Sequence, residues 1–375
     1  MKKPRKPTNP FLIAGYHSPK YFCDREKELN WLMEQITQER NTVLYADRRI
    51  GKTALLNHLI HQLEKQKIAD TVFVDLLATT DFQSANQKIT EAIFQKFGSQ
   101  GQGIGTKMLR LLSSVGASVT FDSLSGLPKI TFGAQNPVAP AQSLAGIGEF
   151  LKAHSRKVVI CLDEFQTIAN YPGLEAEALF RTWTQQYPMV RFVFSGSHKT
   201  IISAMFTQKA RPFFRSAELL HLDTISEEQY IPFAKGHFKA AKKAIDEEVI
   251  RKAIDWSKGQ TYYIQLILNK LYSSEAADSP TLDHIFYEIV EEKKHTLAVY
   301  QSLMTDFQWK VLKAIAKDEE TKNPMSKDFI QRHQLGTPSS VSTALKKLVT
   351  INMVVKNSSY YKVDDIALMR WLQAF

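Results

Sequence analysis

Two short stretches of the chain carry residue types that could bind a phosphate chain and help to cleave it. The first reads YADRRIGKTALL over residues 45–56 and contains Gly51, Lys52 and Thr53. A loop between a strand and a helix can turn its backbone N–H groups toward phosphate, while the lysine reaches the β and γ phosphates and the hydroxyl holds magnesium. Ala46 stands where the pattern G-x-x-x-x-G-K-[ST] has its first glycine, and one methyl group is a mild departure because this position mainly needs to be small. The loop residues predicted to contact nucleotide are Ala46, Arg48, Arg49, Ile50, Gly51, Lys52, Thr53 and Ala54.

The second stretch reads KVVICLDEFQTI and places two acids, Asp163 and Glu164, at the end of a run of apolar residues. Asp163 is predicted to hold magnesium together with Thr53, and Glu164 to polarise the attacking water. A pair of acids that only caps the next helix is the alternative. That alternative is disfavoured because two carboxylates beside a buried strand are costly unless a cation or hydrogen bonds compensate them.

Three further polar side chains lie near predicted strand ends. Ser197, in VFSGSH, is a candidate sensor of the γ phosphate, although SGS is also ordinary turn chemistry. Arg211 and Arg215, in KARPFFRSAELL, precede the last predicted strand and could stabilise phosphoryl charge, either in their own chain or in a neighbour within a homo-oligomer. The equally simple alternative is that both are surface arginines beside an aromatic pair. Arg48 and Arg49 could likewise contact either phosphate or adjoining protein.

The elements that must position these residues follow from hydrophobic periodicity. Apolar, β-branched runs alternate with segments of helical spacing over the first 225 residues, which predicts a parallel sheet with helices on both faces. The predicted strands are 42–46, 71–77, 157–162, 190–195 and 218–222. The predicted divisions are a basic N-terminal tail over 1–20, a core over 21–225 with an inserted hairpin at about 98–135, a helical region over 226–295, and a winged helix over 296–375.

Composition sets wider limits. The chain has 375 residues, 44% of them hydrophobic, which disfavours disordered and fibrous classes. A formal charge of +10 permits an acidic partner such as nucleic acid, but most of the basic residues are scattered. Cys23 and Cys161 lie in no ligand spacing. Because no long apolar run is present, we expect a cytoplasmic protein with no membrane partner.

The order of these motifs resembles the archaeal-type ATPase family, in the AAA+/STAND branch of P-loop NTPases. The stretches that carry the resemblance are FCDREKELNWL, RRIGKTALL, VVICLDEFQTI, FVFSGSHKTII and GQTYYIQLILNKL. The resemblance implies an α/β core of the ASCE type with strand order 5-1-4-3-2, a helical lid and a C-terminal winged helix. It also implies ATP and Mg²⁺ as ligands, with Arg25 and Glu26 beside the adenine and Gly259 and Tyr262 of the lid near the nucleotide.

The leading hypothesis is an ATP-dependent switch with slow hydrolysis, whose nucleotide state repositions the winged helix. The winged helix carries 11 basic and 7 acidic residues over 305–375, a modest excess, so double-stranded DNA and a protein partner both stay open. A nucleotide-dependent interaction scaffold with little or no turnover is the alternative.

Overall fold

The computed structural model describes residues 6–98, 105–121, 128–133, 139–154, 156–172, 176–356 and 359–374. The described residues form two compact units. One contains residues 15–223, and the other contains the described part of 1–14 together with 224–374.

The first unit is built on a five-stranded parallel sheet. Its strand order is β2-β5-β6-β1-β7, which is 5-1-4-3-2 when only the core strands are counted along the chain, and this confirms the predicted order. The strands of this unit are β1 Thr42–Tyr45, β2 Asp70–Asp75, β3 Ala117–Phe121, β4 Pro128–Phe132, β5 Val158–Asp163, β6 Val190–Gly196 and β7 Glu218–His221. Strands β3 and β4 pair antiparallel outside the main sheet, and the Ser-Gly-Leu-Pro turn predicted to join them lies largely outside the described residues.

Both faces of the sheet are covered by helices. Side chains alternate along a strand, so Val159 and Cys161 of β5 enter one apolar cluster while Ile160 and Leu162 enter the other. The first cluster is closed by α1 and α2 and the second by α3 to α7. The helices are α1 Glu26–Thr37, α2 Lys52–Lys65, α3 Phe82–Phe97, α4 Thr106–Ser114, α5 Pro140–Lys152, α6 Ala176–Gln186 and α7 Lys199–Thr207, with short 3-10 helices at Pro19–Tyr21 and Phe165–Asn170.

The second unit is mainly helical and ends in a winged helix. Thr305, Ser326 and Thr337 cap the three helices of the winged helix through their hydroxyls, which explains where those helices begin. The elements are α8 Glu227–Ala240, α9 Glu247–Trp256, α10 Thr261–Ser273, α11 Ser279–Ser302, α12 Asp306–Asp318, α13 Lys327–Arg332, α14 Pro338–Thr350, β8 Val354–Lys356, β9 Tyr361–Val363 and α15 Ile366–Ala374. Helix α15 was not predicted from the sequence.

Residues 6–14 pack into this second unit. Phe11 is fully buried, and its ring lies 5.6 Å from that of Phe238 and 5.9 Å from that of Tyr272. The side chain of Asn9 donates a 2.9 Å hydrogen bond to the carbonyl of Asn269, whose own side chain donates to the carbonyl of Phe11. This part of the predicted basic tail therefore contributes an apolar side chain to a folded core. The predicted boundaries at 20/21, 225/226 and 295/296 stay predictions.

Hydrogen bonds join the segment before α10 and the start of α10 to the segment before α15. Gln260 donates to the carbonyl of Asp364 at 3.1 Å, and the Tyr263 hydroxyl donates to Asp365 at 2.8 Å. Arg370 of α15 also donates to the carbonyl of Trp256 at 3.1 Å. The helical region and the winged helix are thus connected by polar contacts within one unit. In the described part of the chain, every helix is too short or too polar to cross a membrane.

Candidate functional site

The loop between β1 and α2 has the backbone shape of an anion-binding turn. Ala46 is buried and its N–H donates to the carbonyl of Gly196 at 3.3 Å, which ties the start of the loop to β6. Arg49 and Gly51 have positive φ values of 66° and 95°. Gly51 adopts this conformation without the steric cost that a Cβ imposes, and α2 begins at the next residue, Lys52. The methyl of Ala46 is therefore accommodated, and the helix N-terminus faces the loop.

The side chains of Lys52 and Thr53 meet Asp163 at the end of β5. The Thr53 hydroxyl donates to Asp163 Oδ2 at 2.9 Å, and Lys52 Nζ lies 3.6 Å from Oδ1. Lys52 is only 6% exposed and Asp163 only 3%. Charges this deeply buried are stable only when they are paired, so the two predicted motifs form one site.

Glu164 follows Asp163 in a left-handed conformation, with φ of 53° and ψ of 38°. Its Oε1 lies 3.4 Å from Lys52 Nζ, and its Oε2 accepts hydrogen bonds from Ser197 Oγ at 2.8 Å and from the Ser197 N–H at 3.3 Å. Burial acts to raise the pKa of Glu164, but the Lys52 ammonium and the hydrogen bonds from Gln166 and Ser197 outweigh burial and lower the pKa below its usual value. Glu164 is therefore an ionised, firmly held carboxylate at neutral pH.

The donor set of this site fits magnesium. Thr53 and Asp163 supply hard oxygen atoms of the kind that Mg²⁺ prefers, and Mg²⁺ is usually held by one or two carboxylates while it keeps several waters. Among the described residues no group of three or more His, Cys, Asp and Glu forms a closed metal cage. One ammonium and two carboxylates give Lys52, Asp163 and Glu164 together a charge of −1. A divalent ion reverses that sign, which would favour a polyanionic ligand.

Two residues of the site were not among the predicted site residues, although the sequence places Ser195 at the same sheet edge as Ser197. Ser195 is fully buried in β6 and its hydroxyl donates to Asp163 Oδ1, and Gln166 donates to Glu164 Oε2 at 2.5 Å. The parallel register that pairs Leu162 with Phe194 brings the next residues, Asp163 and Ser195, side by side. That register is the signal that would have identified Ser195.

Arg25, predicted to lie beside the adenine, is buried against the loop and the end of the sheet. Its guanidinium donates to the carbonyl of Ile50 at 3.5 Å, to the carbonyl of Asp223 at 2.5 Å and to Glu28 at 2.9 Å. Glu26 is exposed at the start of α1. Arg25 therefore connects the phosphate-loop backbone to Asp223, two residues after β7.

The loop also contacts α7. The carboxylate of Asp47 lies 3.2 Å from Lys199 Nζ, and this ion pair was not predicted. Arg48 is exposed, whereas Arg49 is half-buried and its Nη1 atom is fully buried.

The arginines before β7 have partners outside the cluster of Lys52 and the acids. Arg211 forms a two-point ion pair with Glu177 of α6, in which Nε lies 3.0 Å from Oε2 and Nη2 bonds to Oε1. Arg215 is exposed, with its guanidinium 5.1 Å from the ring centre of Phe214. The structure therefore does not bring either arginine to Asp163 or Glu164.

Gly259 and Tyr262 belong to the second unit. Gly259 has a φ of 73°, and a Cβ there would come within 2.6 Å of Thr224 Cγ2, so a tight turn requires glycine at this point. Tyr262 is half-buried, and Lys293 Nζ lies 5.6 Å from the centre of its ring.

A sequence model of the family described as "ATPase domain predominantly from Archaea" matches residues 22–267, more than half of the chain. The chain belongs to this archaeal ATPase family. A second family model, described as a probable winged helix domain, matches residues 295–374. No curated protein matches the chain by sequence.

Solved structures with the same fold are similar over almost the whole length. The Walker-type ATPase of Pyrococcus abyssi is 15% identical with a TM-score of 0.69, covering 97% of this chain and 99% of its own. The ORC2 protein of Aeropyrum pernix is 13% identical with a TM-score of 0.60, covering 97% of both chains. The ORC1 protein of the same organism, solved in complex with DNA, is 13% identical with a TM-score of 0.56, covering 98% of this chain and 96% of its own. Family membership supports nucleotide binding and ATPase activity in general. Because the solved structures are only 13–15% identical to this chain, their similarity shows the fold alone.

Proposed function

We propose that this ATPase is a magnesium-dependent switch of the AAA+/STAND type that hydrolyses ATP slowly. The observation that carries the proposal is the convergence of Lys52, Thr53, Asp163 and Glu164 at the C-terminal edge of the parallel sheet. In this proposal the amides from Gly51 to Ala54 and the Lys52 ammonium bind the phosphates, with the helix dipole of α2 adding to the attraction.

The proposed chemistry assigns one role to each acid. Bound magnesium would neutralise charge on the phosphates, held by the Thr53 hydroxyl and, through water, by Asp163. Glu164 would orient and polarise the attacking water, and Ser197 would respond to the γ phosphate because its hydroxyl already contacts Glu164. Lys52 would leave Glu164 for the phosphates when ATP binds.

The remaining site residues stay predictions. Arg25 and Glu26 are proposed to lie beside the adenine, and Gly259 and Tyr262 near the nucleotide. Arg211 or Arg215 is proposed to stabilise phosphoryl charge, in its own chain or in a neighbour's.

Matched pairs of variants test the proposal. Lys52→Ala should abolish ATP binding measured by calorimetry, and Glu164→Gln should preserve binding but stop phosphate release. Lys65→Ala, on the exposed end of the same helix, and Glu34→Gln, exposed on α1, control for the same chemical changes. ATP affinity that is unchanged in Lys52→Ala would defeat the proposal. Tight ATP binding without any phosphate release from the unaltered protein would favour the interaction scaffold.

We further propose that the winged helix binds double-stranded DNA through α14. Its exposed face carries Ser339, Ser340, Thr343, Lys346 and Lys347, and α14 contains no acidic residue. Hydroxyl and ammonium groups without carboxylates suit a phosphate backbone and base edges. The A. pernix ORC1 protein of the same fold was solved in complex with DNA, which adds support.

Salt-titrated mobility shifts of the full chain test DNA binding. Replacing Lys346 and Lys347 by alanine should weaken binding and lower the salt slope by about 2, because each lost phosphate contact removes roughly 0.9. Lys239→Ala with Lys252→Ala, exposed on α8 and α9, is the charge-matched control. The absence of any shift at low salt would instead favour a protein partner for this face.

We propose that a conformational change caused by nucleotide binding or hydrolysis is transmitted to α14 through contacts within the second unit. Gln260 and Tyr263, which adjoin the predicted nucleotide contacts, bond to Asp364 and Asp365 just before α15. A displacement of the lid would therefore carry the winged helix with it.

A further inference from the structure

The carboxylate of Glu164 is held unevenly by its neighbours. Three donors converge on Oε2, namely the Gln166 amide at 2.5 Å, the Ser197 hydroxyl at 2.8 Å and the Ser197 N–H at 3.3 Å. Among the described residues, Oε1 faces the Lys52 ammonium, whose Nζ lies 3.4 Å away. One end of the carboxylate is thus fixed by protein groups of the neighbouring strand and turn, while the other faces the phosphate-loop lysine.

The hydrogen-bonding capacity of the two oxygens differs as a consequence. A carboxylate offers about four lone-pair sites, or about two on each oxygen. Oε2 is therefore saturated by its three donors and has no free site for water. Oε1 retains capacity, and it gains more once Lys52 turns toward phosphate.

Gln166 is placed for this contact by the turn that carries it. Phe165, between Glu164 and Gln166, is fully buried and anchors the 3-10 helix in a group of aromatic rings that includes Phe194, 4.5 Å away. Gln166 is buried too, and its side chain lies under Gly196, where a Cβ would come within 2.2 Å of Gln166 Oε1. The absence of a side chain at Gly196 therefore creates the space that Gln166 fills.

The orientation of the amide supports a single function for it. Gln166 Oε1 has no hydrogen-bond partner among the described residues, so the amide engages the site only through its NH₂ group. Turning the amide over would set its oxygen against the Glu164 carboxylate, which is repulsive.

We propose that Gln166 is a positioning residue for Glu164: together with Ser197 it holds Oε2, so that Oε1 is the oxygen that receives the hydrogen bond of the attacking water. This inference rests on the proposed function, because it takes Glu164 as the residue that orients water. It adds which oxygen acts and which side chain directs it.

The test compares Gln166→Met and Gln166→Asn with the unaltered full chain. Methionine keeps the length of the buried side chain but removes the donors, and asparagine keeps the amide but is one methylene too short to reach Oε2. Both should lower kcat about ten-fold, because a hydrogen bond to a charged group is lost from the orientation of water. The Kd for magnesium-ATP should stay within two-fold, since the side chain of Gln166 donates to Glu164 rather than to the phosphate loop. Gln35→Met, a buried glutamine of α1, is the matched control and should leave both values unchanged.

Ligand-free crystal structures of the same proteins give a readout that does not depend on activity. The unaltered chain should show Glu164 in one rotamer, and Gln166→Met should show it in more than one or rotated away from Ser197. A kcat within two-fold of the unaltered protein in both Gln166 variants would overturn the positioning role while leaving the proposed function intact. A rise in the Kd for magnesium-ATP as large as the fall in kcat would do the same. Phosphate release that persists in Glu164→Gln would instead overturn the proposed function itself.

Discussion

Ser195→Ala tests a residue whose contact with Asp163 is seen only in the folded structure. Ser195 is fully buried and its hydroxyl donates to Asp163 Oδ1. The same oxygen accepts the Glu164 N–H at 3.0 Å and lies 3.6 Å from Lys52 Nζ. The substitution therefore removes one of the three groups at Oδ1 of the proposed magnesium-binding acid, and it leaves the carboxylate paired with Lys52 and Thr53.

The size of the effect follows from these contacts. Removing a hydrogen-bond partner of a metal-binding carboxylate typically costs 10-fold to 100-fold in metal affinity, about 1.4 to 2.7 kcal/mol. Because Asp163 is proposed to hold the ion through water, and because the Glu164 N–H and Lys52 remain in place, we expect the lower end, about ten-fold. ATP binding measured with EDTA should be unchanged, since Ser195 contacts the acid and not the phosphate loop.

The assay is a magnesium titration of phosphate release at saturating ATP. The concentration for half-maximal activity should rise about ten-fold in Ser195→Ala. Ser257→Ala removes an equally buried hydroxyl that donates to the carbonyl of Ala253 in the second unit, and it should leave the titration unchanged. A magnesium requirement in Ser195→Ala equal to that of the unaltered protein would refute the reasoning that Asp163 serves the metal.

Three further predictions concern other parts of the chain. Phe11→Ala should destabilise the second unit by about 3 to 5 kcal/mol, because the ring is fully buried, and thermal melting or limited proteolysis should detect the loss; a melt like that of the unaltered protein would contradict the packing. Arg211→Ala and Glu177→Gln break the same ion pair, so a structural role predicts that both keep phosphate release within about two-fold, whereas a loss in Arg211→Ala alone would indicate a phosphate contact. The pKa of Glu319 is lowered because its contacts with Lys258, chiefly a hydrogen bond, outweigh the effect of burial, so its stabilising contribution should be present above the usual carboxyl pKa of about 4.3 and be lost as the pH falls through the lowered value. Glu319→Gln should accordingly melt lower than the unaltered protein at pH 7, and the difference should disappear in acid; a difference independent of pH would contradict this.

The strands of the sheet could be predicted because each one is marked by a pattern of neighbouring residues in the sequence. Buried strands give short apolar runs between segments of helical spacing, and the predicted strands match the observed ones to within one or two residues. The strand order came from the resemblance of the motifs to a family rather than from periodicity. The strands of the core and helices α12 to α14 of the winged helix therefore could be anticipated.

Other features could not be predicted because tertiary contacts decide them. Helix α15 is buried on nearly all sides, including Ile366, Leu368, Met369 and Trp371, so its sequence lacks the polar stripe by which a helix is recognised. Phe11 lies in a basic segment with no periodicity, yet it is fully buried.

Within the site, residue type alone identified Lys52, Thr53 and the two acids as candidates, because their chemistry and spacing are specific. The contact of Ser195 depends instead on strand register, and that of Gln166 on the space under Gly196, neither of which residue type reveals. The pairing of Arg211 with Glu177 is likewise a matter of which helix lies beside the segment before β7.

The most direct test of the nucleotide site is a crystal structure of the full chain with magnesium and a non-hydrolysable ATP analogue. The account predicts the triphosphate against the amides of Gly51 to Ala54, with the ion about 2.1 Å from Thr53 Oγ1 and close to Asp163. Lys52 should have moved from Glu164 to the phosphates. A triphosphate bound elsewhere, or a loop whose amides turn away from it while Lys52 stays on Glu164, would contradict the account.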